Sequence, residues 1–207
     1  MTLTFYTNPQ SRGRMVRWML EETGAPYDTE ILGYGGAMKS PAYLAINPMG
    51  KVPAIVHDGT VVTEVAAICA YLADTFPEAG LAPTSAERGA YYRWLFFTAG
   101  PLEAAMTART LKLEPPAERA ATVGYGSVDL TYATLESALE GREYIAGDRF
   151  TAADVYVGAS VAFGLMFGML PRKPAFESYV ARLTAREGFV RAAALDDAAA
   201  AAMPQPG

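Results

Sequence analysis

The sequence is poor in the residues that build metal centres and redox pairs. Its 207 residues include one cysteine, Cys69, and one histidine, His57. A single cysteine can form neither an internal disulfide nor a Cys-x-x-Cys pair, and no second histidine or cysteine offers metal-site spacing. We therefore expect no metal. Cys69 is predicted to be a small buried apolar residue, and His57 a turn residue.

Basic charge is also scarce. The chain has 17 Lys and Arg against 22 Asp and Glu, for a formal net charge of −5, which argues against a nucleic-acid partner. No basic leader precedes the strand-like start LTFYT. The longest uncharged run, residues 155–171, contains three glycines and favours a buried core helix over a membrane span. We predict a cytoplasmic protein without a membrane segment.

Apolar residues are plentiful enough for a sizeable core. They make up 51% of the chain, against 19% charged residues, which excludes a disordered protein. The length allows one large domain or two small ones. Two prolines and a glycine within residues 77–85 separate mixed strand and helix patterns from purely helical ones. This predicts a first domain over residues 1–77, a linker over 78–85 and a helical domain over 86–207.

The start of the chain has the pattern of a strand, a helix and a second strand. Residues 3–7 are predicted to form the first strand, and residues 11–23 a helix that ends at Gly24. The apolar positions of this helix place Arg17 on its outer face. Residues 27–31 are predicted to form a second strand, parallel to the first through a right-handed crossover.

Residues 47–73 predict a loop, a hairpin and a helix. The pair Asp58-Gly59 between two apolar runs is a strong signal for a type I′ turn. Thr63 is predicted to cap the following helix, whose first turn would carry Glu64. Pro53 at the start of the first hairpin strand suits a strand start, an edge or a cis peptide bond, and local patterns do not choose among these.

This stretch resembles the glutathione-binding core of the glutathione S-transferase family. The resemblance rests on Val52-Pro53 and Thr63-Glu64, followed by the pairs Ala67-Ile68 and Tyr71-Leu72. It implies a cis bond before Pro53, glutathione as the bound cofactor, and a thioredoxin-like α/β domain followed by an all-α domain. By the same resemblance, the Val52 backbone binds the cysteinyl part of glutathione and Glu64 holds the γ-glutamyl end.

The second half is helical in pattern, with predicted helices over residues 87–99 and 117–139. The spacing of Thr151 and Asp154 resembles a capping box. Together with Gly147, these two residues resemble a folding signature in the all-α domain of the same family. Asp154 is therefore expected to be structural.

One residue departs from the family pattern. The family usually has Ser or Thr where this chain has Val65, so the hydroxyl that helps bind the γ-glutamyl carboxylate is missing. The backbone N–H at the helix start remains an anion donor. Lys51 is predicted either to meet the glycyl carboxylate or to be a surface lysine. The predicted glutathione-binding residues are Ser11, Lys51, Val52, Pro53, Glu64 and Val65.

Glutathione chemistry needs a donor that stabilises the thiolate, which is the nucleophile. A hydroxyl near a helix N-terminus would do this. Both Tyr6, which closes the first strand, and Ser11, which opens the first helix, qualify by position. The run Ser11–Arg17 resembles serine-type classes and favours Ser11 over Tyr6. The alternative for Ser11 is a plain N-cap serine, which needs no catalysis. Arg12 either supports the thiolate or is a solvated charge.

The main hypothesis is a homodimeric glutathione transferase that acts on a small electrophilic substrate. Conjugation, isomerisation and dehalogenation stay open, and the dimer rests on the resemblance alone. The alternative is a non-catalytic binding or scaffold protein with the same fold, which Val65 favours. Reduction through an active-site cysteine is disfavoured, because Cys69 lies in the wrong place.

Overall fold

The structure, a computed structural model, describes residues 2–203 and falls into two compact units. The first comprises the chain up to Leu81 together with the segment from Ala185 onward, and the second spans Ala82–Thr184. The predicted fold class is confirmed, because the first unit holds a sheet with helices and the second is helical. The compact units group the C-terminal segment with the sheet, whereas the predicted domain limits of 1–77 and 86–207 stay a proposal.

A four-stranded mixed sheet lies at the centre of the first unit. Its order is β2-β1-β3-β4, with β1 Leu3–Thr7, β2 Asp28–Ile31, β3 Ala54–His57 and β4 Thr60–Thr63. β1 is parallel to β2 and antiparallel to β3, and β4 is antiparallel to β3. Alternate residues of β1 are buried, as the period of two requires. The predicted strands and the parallel pairing of β1 with β2 are confirmed.

The hairpin turn has the predicted backbone, but the histidine before it was predicted wrongly. Asp58 and Gly59 both have positive φ, 46° and 85°, as a type I′ turn requires. His57 is the buried last residue of β3 and precedes the two central turn residues. Its Nδ1 lies 2.9 Å from the Tyr71 hydroxyl, and its ring packs beside Phe76. The prediction failed because the partners of His57 lie on a later helix and just after it.

The first two α-helices lie between strands in the sequence, and the later α-helices follow the last strand. The first unit contains α1 Gly13–Thr23, α2 Pro41–Leu44 and α3 Val65–Thr75. The second contains α4 Arg88–Phe97, α5 Glu103–Leu111, α6 Val128–Leu139, α7 Ala152–Met166 and α8 Pro174–Thr184. The last helix, α9 Glu187–Ala202, belongs to the first unit.

Helix α1 ends as predicted but buries a residue predicted to be outside. It ends at Gly24, whose φ is 66°, a conformation that suits glycine. Arg17 is buried, because its guanidinium pairs with Asp196 of α9. The helical period counts a charged residue as outward-facing, so it cannot anticipate a charged partner from another helix.

Residues 117–139 do not form one helix, so that prediction was wrong. Ala117–Thr122 is a 3-10 helix, and α6 begins only at Val128. Gly126 between them has a φ of 68°, which interrupts any helix. The Ser127 hydroxyl then caps α6 by accepting the Leu130 N–H.

Helix α7 is a buried core helix over residues 155–165 of the uncharged run, and the helix ends at Met166, which is exposed. Its capping box is present: the carboxylate of Asp154 accepts the Thr151 N–H at 2.9 Å. The same carboxylate accepts the Ile145 N–H and the Tyr179 hydroxyl, each at 2.8 Å. Asp154 is therefore structural. Within residues 2–203, no helix combines the length and the apolar character needed to cross a membrane.

Candidate functional site

The strand register of the first unit gathers most of the predicted site residues at one end of the sheet. Tyr6 of β1 pairs with Ala54 of β3, which pairs in turn with Thr63 of β4. The end of β1, the start of β3 and the end of β4 therefore lie side by side. Several predicted site residues lie within four positions of these strand ends in the sequence: Ser11, Val52, Pro53, Glu64 and Val65.

Ser11 lies in the tight turn between β1 and α1, and its hydroxyl has two partners there. Oγ donates to the Asn8 carbonyl oxygen at 2.7 Å and accepts the Gly13 N–H at 2.9 Å. The side chain is half-buried. The Ser11 hydroxyl caps the start of α1, because it accepts a backbone N–H of the first helical turn. The N-cap residue itself is Arg12.

Gly13 leaves room for two hydroxyl groups behind this turn. A Cβ at Gly13 would lie 2.0 Å from Thr7 Oγ1 and 3.0 Å from Ser11 Oγ, so only glycine fits. Thr7 is fully buried at the end of β1. Its Oγ1 has no hydrogen-bond partner among the described residues. Sequence reasoning did not single out Thr7, and a strand-end threonine carries no local signal of such a position.

The second candidate donor, Tyr6, is half-buried in an apolar cluster. Its ring lies 5.6 Å from that of Tyr43, centroid to centroid. It packs with Val52 against a buried cluster that includes Met38 and Ala54. These contacts give Tyr6 a packing role that does not depend on catalysis.

The peptide bond between Val52 and Pro53 is cis, as the resemblance implied. The loop before it is held through the carbonyl oxygen of Lys51. This oxygen accepts the Tyr43 hydroxyl at 2.6 Å and the Asn47 Nδ2 at 2.8 Å. Burial raises the pKa of Tyr43, so its hydroxyl keeps the proton that it donates.

Three side chains that sequence reasoning had not assigned therefore shape this loop. Besides Tyr43 and Asn47, Lys39 donates from Nζ to the carbonyl oxygens of Gly50 and Met49, at 2.9 and 3.2 Å. The Asn47-Pro48 turn signal could have pointed to Asn47, because asparagine often bonds its own following backbone. Its Oδ1 indeed accepts the Met49 N–H at 3.1 Å.

Glu64 occupies the N-cap position of α3 with an unusual backbone, φ 67° and ψ 120°. A positive φ is sparsely populated by residues other than glycine and costs free energy. No side chain caps this helix, so the prediction that Thr63 caps it was wrong. Glu64 also lies before the first turn of α3, not within it. Its side chain is exposed at the end of the sheet that carries Ser11.

Val65 and the predicted cations complete the site region. Val65 is the first residue of α3 and is buried, so it contributes only backbone to the surface. Arg12 and Lys51 are both exposed. Arg12 is next to Ser11 in the chain, and Lys51 directly precedes the cis-proline pair.

Cys69 lies away from the strand ends, in the middle of α3. It is fully buried, as predicted, and burial raises the pKa of its thiol to about 12. A nucleophilic cysteine needs a lowered pKa and access to solvent. Cys69 has neither.

Comparison with known proteins supplies independent information. The family model for the glutathione S-transferase N-terminal domain matches residues 11–75. Glutathione S-transferase GST-4.5 of Xanthomonas campestris is 29% identical over 88% of this chain and 93% of its own length. Maleylacetoacetate isomerase of Pseudomonas aeruginosa is 30% identical over 82% of this chain and 85% of its own length.

A solved structure agrees with these sequence relatives. The glutathione S-transferase of a sphingomonad, determined in complex with glutathione, superposes with a TM-score of 0.76 at 28% identity. The match covers 94% of this chain and 98% of that protein. The likeness therefore extends over both compact units.

Proposed function

The chain belongs to the glutathione S-transferase family, and we propose that it is an enzyme that binds glutathione and uses the glutathione thiolate on small electrophiles. The observation that carries the proposal is the convergence of three segments at one end of the sheet. They are the Ser11 turn, the cis-proline pair Val52-Pro53 and the start of α3 at Glu64.

The tripeptide would be held mainly by backbone and by opposite charge. The Val52 backbone, next to the cis bond to Pro53, would pair with the cysteinyl part. Glu64 would bind the γ-glutamyl ammonium group, and the uncapped N-terminus of α3 its carboxylate. Lys51 would meet the glycyl carboxylate.

Ser11 is our proposed thiolate donor. Its hydroxyl hydrogen would turn from the Asn8 carbonyl to the sulfur, while Oγ keeps accepting the Gly13 N–H. That N–H makes Oγ a better donor, because hydrogen bonds in a chain polarise one another. Arg12 would add positive charge beside the sulfur. Tyr6 is the less favoured donor, because packing against Tyr43 already accounts for its position.

The chemistry is nucleophilic attack by sulfur. The thiol proton passes to solvent, and the thiolate forms a C–S bond with an electrophilic carbon. In conjugation by substitution, the leaving group departs with its electron pair. Isomerisation and dehalogenation use the same thiolate, and one relative is named an isomerase.

A non-catalytic binding protein is the second candidate. Val65 places an apolar side chain where the family has a hydroxyl, and the Ser11 hydroxyl already donates its hydrogen to the Asn8 carbonyl. Both features would suit a protein that keeps the fold without turnover.

We further propose a cytoplasmic homodimer with a role in detoxification. The support for a dimer within the second unit is an apolar patch on α4. Tyr92 and Phe96 are exposed there, Phe96 by 68%, and their rings lie 6.4 Å apart. Light scattering on the purified protein tests this, with Phe96→Asp expected to yield monomers.

The decisive experiment is a calorimetric titration with reduced glutathione and, separately, with S-methylglutathione. Binding of both in the micromolar to low-millimolar range supports a glutathione site. Turnover of an activated aryl halide by wild type and its loss in Ser11→Ala would then support the enzyme over the binding protein. No binding up to about 10 mM, weaker than about −3 kcal/mol, would contradict both the site and the enzyme.

A further inference from the structure

Helix α9 packs closely on α1 within the first unit. The Trp18 ring meets Phe189 edge-on, with 5.0 Å between centroids. At Gly188, a Cβ would lie 2.7 Å from the Glu22 carboxylate, so the two helices approach through a glycine. Arg186 also pairs with Glu22, donating from Nη2 at 2.8 Å. The C-terminal helix is therefore part of the support of α1.

A buried ion pair fixes this contact. Arg17 Nε donates to the Asp196 carboxylate at 2.6 Å, and the two side chains are only 5% and 1% exposed. The guanidinium also donates to the Tyr27 hydroxyl at 3.1 Å and lies 5.2 Å above the Phe5 ring. A buried charge pair with these partners tolerates little displacement, since losing either charge leaves the other unpaired.

A second ion pair connects α9, through Arg14, to the turn that carries Ser11. Arg14, one helical turn before Arg17, pairs with Asp197, the neighbour of Asp196. Arg14 Nε simultaneously donates to the Pro9 carbonyl oxygen at 2.7 Å. Pro9 lies between Asn8, whose carbonyl accepts the Ser11 hydroxyl, and Ser11 itself.

We propose that the adjacent aspartates Asp196 and Asp197 of α9 are positioning residues for Ser11, acting through Arg17 and Arg14. Asp196 fixes α9 against α1 through its ion pair with Arg17. Asp197 orients the Arg14 guanidinium, which donates to the Pro9 carbonyl oxygen in the turn. The inference rests on the proposed function of Ser11. An error of about 1 Å in a reacting group can cost roughly a hundredfold in rate, so a donor on a short turn benefits from such support.

Asp197→Asn is the sharpest variant. The Asp197 side chain is 69% exposed and that of Arg14 is 40% exposed, and exposed ion pairs contribute little to stability. Arg191→Gln is the matched control. Arg191 also joins α9 to α1, donating to the Glu21 carboxylate and carbonyl, but it has no contact with the turn among the described residues.

The measurement is the pKa of the glutathione thiol bound to each variant, followed by thiolate ultraviolet absorbance, together with kcat and KM. For Asp197→Asn we expect kcat to fall about tenfold, KM to change little and the thiol pKa to rise. Loss of the Asp197 charge by itself would lower the thiol pKa, because removing an anion favours the thiolate. Asp197→Glu should restore kcat, and Arg191→Gln should match wild type.

A double-mutant cycle with Ser11→Ala completes the test. If Asp197 acts through Ser11, Asp197→Asn should have no further effect on kcat in the Ser11→Ala protein. Equal behaviour of Asp197→Asn and Arg191→Gln, with Ser11→Ala still impaired, would overturn the positioning role and leave the proposed function intact. Full turnover by Ser11→Ala would overturn both the positioning role and the assignment of Ser11 as thiolate donor, and the single variant is enough to show it.

Discussion

The hydroxyl of Ser11 donates its hydrogen to the carbonyl oxygen of Asn8, 2.7 Å away. A serine has one hydrogen to donate, so this bond and a bond to a glutathione sulfur exclude each other. The Asn8 carbonyl also accepts the Ser11 N–H at 3.1 Å. It therefore keeps a partner when the hydroxyl turns away.

Ser11→Ala is expected to lower turnover about 10²-fold or more, the scale of losing one preorganised donor to a developing anion. Steady-state kinetics with an activated aryl halide would measure it. The matched control is Tyr6→Phe, which removes the other candidate hydroxyl and keeps the ring. Unchanged turnover in Ser11→Ala with loss in Tyr6→Phe would assign the role to Tyr6.

Glu64→Ala is expected to weaken glutathione binding by about 1.5–3 kcal/mol, the scale of a hydrogen bond to a charged group. Calorimetry measures the loss. Glu64→Gln, which keeps the shape and removes the charge, should lose a similar amount if the partner is an ammonium group. An unaltered dissociation constant in both variants would remove Glu64 from the site.

Val65→Ser is expected to tighten glutathione binding if the missing hydroxyl limits affinity. Val65 is buried at the start of α3, so the exchange also removes apolar contacts. Val65→Ala is the matched control, because it removes the methyl groups and adds no hydroxyl. Equal dissociation constants for the two variants would mean that the site compensates elsewhere.

Cys69 should be unreactive toward thiol reagents at pH 8 in the folded protein and reactive in denaturant. The thiol pKa is raised to about 12 by burial in the folded state, against ~8.5 in an unfolded chain. Above pH ~8.5 the unfolded state loses this proton first, so the stability contribution is complete below that pH and is lost toward pH 12. Denaturant titrations of wild type and Cys69→Ala from pH 8 to 11 would check this. Rapid labelling of the native protein would contradict it.

Local patterns predicted the parts of the fold that depend on near neighbours. The alternation in residues 3–7, the Asp58-Gly59 turn and the capping box of Thr151 and Asp154 involve residues no more than four apart in sequence. The break at Gly126 was missed for a local reason. A glycine inside a helical pattern is often tolerated, and the pattern does not indicate the φ of 68° that Gly126 has in the structure.

In the candidate site, too, the sequence indicated some features and missed others. The resemblance implied the cis bond before Pro53, and the structure has it. It did not indicate that Tyr43, Asn47 and Lys39 hold the loop before that bond. These partners come from a neighbouring segment of the chain, and a polar residue in a loop carries no sign of which carbonyl it will meet.

The sequence by itself determined the strands and the hairpin turn, because periodicity and turn chemistry act over a few residues. The family followed from the resemblance carried by Val52-Pro53 and Thr63-Glu64. The tertiary structure alone decided that Arg17 is buried against Asp196, which lies 179 positions further along the chain. A charge is buried only where a partner offsets its desolvation. That partner is known only once α9 has packed on α1.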